Sequence, residues 1–155
     1  MLGVRNLFRL WGTLTVLVLV ARGPAHAAPG NEPTVEALKA KLSSTSIGDR
    51  PHLCVQIAEK QLAEADKFYA ASEVEKGQAA LTDVVAYAEL ARDYAVQSHK
   101  YQKQTEIAAR AMARKLTELL HSLGQEDEPP VRDAITHLQR VRDDLLMAMF
   151  PKGAK

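Results

Sequence analysis

Glu118 and His121 stand three residues apart in a helix-forming run. At that spacing a carboxylate and an imidazole share one helix face, as they do in di-iron bundles, where two such pairs and two further glutamates converge on the metals. This sequence holds one pair. On a helical wheel His121 falls away from Leu116 and Leu120, so its ring points to solvent near a helix C-terminus, where the dipole favours a cation. Asp133 and His137, one turn apart, are an equally incomplete set. Glu126, Asp127 and Glu128 have the charge to hold calcium weakly, but they directly precede a helix start, where acids cap free N–H groups and meet the dipole. No G-x-S-x-G, H-E-x-x-H, C-x-x-C, Walker or G-x-G-x-x-G pattern occurs. No catalytic residue, metal ligand or cofactor site is assigned, and the expectation is a protein that is not an enzyme.

Three tyrosines and two arginines carry more weight. Tyr87, Tyr94 and Tyr101 repeat every seven residues along one edge of an apolar seam. They flank the core with their hydroxyls in water, or they form an aromatic strip for a peptide or glycan partner, a use that suits tyrosine's large contact area and small entropy loss. Arg92 and Arg142 fall inside the apolar sectors of their helices. A guanidinium there must find an acceptor or reach out to water. Glu106, on the facing helix, is the expected partner of Arg142 in a buried ion pair; anion binding is the alternative. Lys103, Arg110 and Arg114 lie on the far side, as a solvated face.

The elements that position these residues read as all-α. Ser72–Leu123 contains no proline and a single glycine, Gly77. Its periodicity predicts one long helix over about 72–123, opened by the capping box Ser72-x-x-Glu75 and stopped by Gly124. Gln97–Gln104 is polar all round, yet no Gly or Pro demands a break, so a continuous helix with a bend is expected. A helix over 51–71, with Pro51 in its first turn and Asp49 as cap, carries the stripe Leu53, Cys54, Ile57, Ala58, Leu62, Ala65, Phe68 and Tyr69. It folds back antiparallel on the first half of the long element. That hairpin is similar in outline to one tetratricopeptide unit, but no second copy follows at a period of roughly 34 residues. A last helix over 131–150, capped by Asp127, packs on the second half. A straight long helix would span roughly 75 Å, giving an elongated, coiled-coil-like helical hairpin. A bend near 98–104 would instead close a three- to four-helix bundle.

The N-terminus reads as an address. Arg5 and Arg9, the apolar run Leu10–Val20 and the ending Ala25-His26-Ala27 are the three parts of a secretory signal peptide. The run is too short to span a bilayer, which takes about 20 residues. The expected organisation is a signal peptide over 1–27, a linker with a short marginal helix over 28–50, a helical domain over 51–150 and a flexible tail over 151–155. All 19 acids lie beyond Ala27 and three of the 20 basic residues lie before it, so the exported chain has net charge −2. That balance argues against nucleic acid. Cys54, the single cysteine, allows no internal disulfide and lies on an apolar stripe as a small buried hydrophobe.

The function expected is that of an exported, periplasmic or secreted, non-enzymatic helical module of the cell envelope. It would bind a protein partner or itself, with no stable membrane span after cleavage. Residues 34–42 and the tyrosine strip are the first choices for the contact. The alternative is a small-molecule or metal binder in a closed four-helix bundle. Intact-mass measurement of the exported chain is expected to place its N-terminus at Ala28; retention of Met1 would show an uncleaved anchor.

Overall fold

Thr34 starts the helical part of the chain by accepting the Ala37 N–H on its hydroxyl at 3.2 Å, so the first turn of α1 (Val35–Ser44) is capped. The protein is described by a computed structural model covering residues 32–151. The signal-peptide assignment over 1–27 and most of the expected tail lie outside the described residues. After α1 come α2 (Arg50–Ala70), α3 (Val74–Ser98), α4 (Gln102–Leu120) and α5 (Glu128–Met149). The fold is all-α, with no strand among the described residues, and the helices belong to one unit, Pro33–Lys155.

The helix ends obey different chemistry from the one the sequence suggested. Asp49 is at the N-cap of α2, but it makes no capping bond; its Oδ2 accepts from the Ser46 hydroxyl at 2.8 Å. Ser72 does not open α3. It has φ 60°, its N–H donates to Tyr69 O at 3.0 Å, and the Glu73 N–H donates to Phe68 O at 2.8 Å. Those two bonds form a Schellman motif with Ser72 at C′, so the residue that resembles the start of one helix ends the previous one. Gly124 is not a left-handed stop either: α4 ends at Leu120 with His121 as its C-cap, and Gly124 keeps an ordinary φ in the following loop. Asp127 stands at the N-cap of α5 without a side-chain capping bond.

The expected single helix over 72–123 is two helices. His99 (φ 56°) and Tyr101 (φ 60°) are both left-handed, which ends α3 and reverses the chain. Ser98 completes the stop: its hydroxyl donates to Tyr94 O at 2.6 Å and accepts the Lys100 N–H at 3.3 Å. Each left-handed non-glycine residue costs roughly 1–2 kcal/mol. The opposing term is larger. With the chain reversed, α3 packs along α5 as well as α2, and one core joins Leu81, Val84, Ala88 and Ala95 of α3 to Leu116 of α4 and to Val131, Leu138, Val141 and Leu145 of α5. Fully burying one such aliphatic side chain is worth about 1.5–3 kcal/mol, so part of this core outweighs both turn residues.

The directions of the helices follow from the contacts between them. Gln61 meets Asp83 and Tyr69 lies on Gly77, so α2 and α3 are antiparallel. Glu89 meets His137 and Arg92 meets Asp144, so α3 and α5 run the same way. Glu106, early in α4, meets Arg142, late in α5. The unit is therefore two antiparallel hairpins, α2–α3 and α4–α5, packed mainly through α3 and α5. Alanines at 80, 88, 91 and 95 keep α3 thin where it is enclosed. Gly77 is required: a Cβ there would lie 2.8 Å from the Tyr69 ring. Helix α1 caps the second cluster, with Leu38 buried on Leu53 and Ile57.

The left-handed turn makes a prediction of definite sign. His99→Gly is expected to stabilise the protein by up to about 1 kcal/mol in urea unfolding, because glycine accepts φ near 60° without strain. In a continuous helix the same change would destabilise by a similar amount.

Candidate functional site

Each of the three tyrosines lies against a basic side chain or a histidine from an earlier helix. The Lys39 ammonium of α1 stands 5.2 Å from the centre of the Tyr87 ring. The Arg50 guanidinium, at the start of α2, stands 5.2 Å from that of Tyr94. The His52 ring stacks on Tyr101 at 5.8 Å with 23° between the planes. The heptad spacing keeps the three rings on one edge of α3 and its turn, and α1 and the start of α2 lie along that edge. Cation–π contacts of this kind are worth about 0.5–1 kcal/mol at exposed sites. The strip thus joins the first two helices to the third, and Tyr101 alone of the three is exposed.

The arginines are held by carboxylates across helix boundaries. Arg142 Nε donates to Glu106 Oε1 at 3.0 Å, and the Glu106 side chain is only 9% exposed. Arg110 approaches the other Glu106 oxygen at 3.6 Å. Arg92 donates to Asp93 on its own helix at 2.9 Å and to Asp144 of α5 at 3.0 Å. Burial lowers the Arg92 pKa, and the hydrogen bond and charges of these aspartates more than reverse that shift. Asp83 is a third junction, which the sequence reading passed over: Lys39 of α1 and Gln61 of α2 both donate to its Oδ2 at 2.8 Å. Its signal was an acid on the polar border of a long apolar stripe.

Neither metal-like pair is completed by further ligands among the described residues. Glu118 and His121 are exposed at the end of α4. His137 lies between two carboxylates, with Nδ1 2.9 Å from Glu89 and Nε2 3.7 Å from Asp133, on a groove of about 420 Å³ between α3 and α5. Among the described residues no three His, Cys, Asp or Glu side chains converge as ligands. Cys54 is fully buried. Burial pushes its thiol up to about 11, against a weaker downward pull from the Arg50 charge, so it stays protonated and unreactive near neutral pH.

A different feature stands out at one end of the bundle. The start of α2, the end of α3, the start of α4 and the end of α5 meet there, as the His52–Tyr101, Arg92–Asp144 and Glu106–Arg142 contacts require. The exposed large hydrophobic residues of the described chain are Ile47, Val96, Tyr101, Ile107, Met147 and Phe150. All six belong to that end. Phe150 is 72% and Met147 62% exposed. Val96 and Met147 border a groove of about 470 Å³ with Arg92, Gln97 and Asp144. Sequence reasoning missed this end. The signal was present in part, because Val96, Ile107 and Met147 are apolar residues lying off the stripes of their helices, but nothing in a helical wheel says that three helices bring them together.

No family model, curated protein or solved structure matches the chain.

The expected buried ion pair is buried only on the Glu106 side, since the Arg142 side chain is 41% exposed, and it is open to a double-mutant cycle. Glu106→Gln is expected to cost about 1–3 kcal/mol in urea unfolding, because it leaves a guanidinium without its charge partner. Arg142→Leu should cost less, and the double variant should recover about 1 kcal/mol relative to additivity.

Proposed function

We propose that this chain is an exported, non-enzymatic helical module of the cell envelope that works by binding, and that its contact surface is the apolar end of the bundle. The observation that carries this reading is the segregation of the exposed large hydrophobic residues. Exposed single apolar residues are ordinary on any surface, whereas a patch gathered at one place marks an interaction site. Here six residues from four separate stretches of the chain share one end, and among the described residues no exposed large hydrophobic residue lies at the other. Two further facts support contact elsewhere than the first choices from sequence. Helix α1 uses its apolar face on its own bundle, and Tyr87 and Tyr94 have basic groups over their rings.

Export remains part of the proposal and rests on the N-terminal pattern alone. Among the described residues no helix is long and apolar enough to cross a membrane, so contact at the envelope would be made from the surface of the bundle.

Photocrosslinking in the native cell tests the surface. A photoreactive residue replacing Met147 is expected to give covalent adducts, while the same residue replacing Glu64, at the opposite end, gives none. Equal labelling from both positions, or none from either, would contradict the assignment.

A further inference from the structure

The groove between α3 and α5 holds chemistry that the apolar end does not use. His137 of α5 and Glu89 of α3 meet there, with His137 Nδ1 2.9 Å from Glu89 Oε1. A carboxylate can only accept, so Nδ1 carries the proton and Nε2 of the neutral ring is left with a lone pair. That lone pair faces Asp133, one turn earlier on α5, whose Oδ2 lies 3.7 Å from Nε2. The gap is too long for a hydrogen bond, and it sets two acceptors against each other. It is instead close to the spacing of two ligands on one tetrahedral ion, whose bonds of about 2.0–2.2 Å put the ligand atoms roughly 3.4 Å apart. Asp133 is 75% exposed, so its carboxylate can shift by the few tenths of an ångström that remain.

The surroundings favour a cation. The groove of about 420 Å³ is lined by Glu89, Asp133, Gln78 and Thr82 among others, and by no lysine or arginine. Neither Glu89 nor Asp133 forms a salt bridge with a lysine or arginine among the described residues. Arg92, one turn on from Glu89, is committed to Asp93 and Asp144. Glu89 stands where a metal-bound histidine has its outer carboxylate, the group that fixes the tautomer and the ring orientation. The other pair, Glu118 and His121, lacks this feature, because no side chain orients the His121 ring among the described residues. An imidazole beside one carboxylate suits zinc or copper, whereas calcium and magnesium take all-oxygen shells.

We propose that His137 Nε2 and Asp133 Oδ2 form a binding site for a divalent transition ion of the zinc and copper kind, with Glu89 as the positioning residue and water in the remaining positions. Two protein ligands are fewer than the three or four that hold a resident zinc ion, so the ion exchanges with solution. Both ligands are on α5 and the positioning carboxylate is on α3, so a loaded site strengthens the tie between the two hairpins. The site shares no residue with the apolar end and holds whether or not that end binds a partner.

The test uses the full chain labelled with ¹⁵N-histidine, stripped of metal by a chelator and titrated with zinc chloride at neutral pH. Its five histidines are told apart by single substitutions such as His137→Gln. The metal-free protein is expected to carry the His137 proton on Nδ1 alone. Zinc is expected to shift His137 Nε2 at lower concentration than it shifts the His121 ring. Asp133→Ala is expected to abolish that first event, Glu89→Gln to weaken it by about 10- to 100-fold, and Glu118→Gln to leave it unchanged. Zinc is also expected to raise the melting temperature of wild type but not of Asp133→Ala, whose metal-free helical spectrum matches wild type. A His137 ring protonated on both nitrogens in the metal-free protein would make the 3.7 Å gap an ion pair and overturn the proposal. Zinc reaching His121 first, or Asp133→Ala or Glu89→Gln binding as tightly as wild type, would overturn it too.

Discussion

Two residues in left-handed backbone conformation, His99 and Tyr101, decide how the rest of this chain is arranged. Neither is a glycine, so the turn is strained, and only packing elsewhere keeps it. The packing that does so is the union of two helical hairpins into a single core. Leu116, Leu138, Leu145, Val131 and Val141 are each about fully enclosed, and they share one cluster with α2 and α3. Without the turn, α3 would have only α2 against it, and the ladder of small alanines along it would have one neighbour instead of two. The local cost is a few kcal/mol, and the return is nonlocal. For that reason the turn is invisible to any rule based on nearby residues.

The apolar core is indifferent to rotation of one hairpin on the other, and directional contacts supply what it lacks. Asp83 gathers α1, α2 and α3; Arg92 ties α3 to α5; Glu106 ties α4 to α5. Asp83, Arg92 and Arg142 lie at the borders of the core and keep some access to water, while the enclosed Glu106 is held by Arg142, so the desolvation cost stays modest. The three tyrosines act in the same way along the edge of α3 that faces α1 and the start of α2, matching the start of the chain to its middle. A bundle fixed in register has defined ends. One of those ends collects the apolar residues that the helices do not use in the core.

Much of the architecture was legible in the sequence. The stripes of α2 and α5, the short α1, the hairpin of α2 with α3, and Glu106 as the group facing Arg142 all follow from helical spacing. Other features were legible only in kind. Ser72-x-x-Glu75 has the composition of a capping box, and the same residues serve as a Schellman stop because Phe68 and Tyr69 offer carbonyls the pattern does not weigh. Gln97–Gln104 showed a loss of amphipathicity but not a reversal, since polar residues tolerate a helix and a turn alike. The apolar end was legible only as single apolar residues off the helix stripes, not as a shared surface. Val96, Ile107 and Met147 are far apart in sequence, and their proximity depends on the turn that local signals do not reveal.

The most direct test of this arrangement is a distance. Spin labels on Thr82→Cys and Asp133→Cys, in a chain carrying Cys54→Ala, report whether α5 lies back along α3. Both positions border one groove, so with helix axes about 8–10 Å apart the closed bundle gives a label separation below about 25 Å. A straight helix through 98–104 would put the same labels roughly 50 Å apart, and a distance near that value would contradict both the turn and the surface built on it.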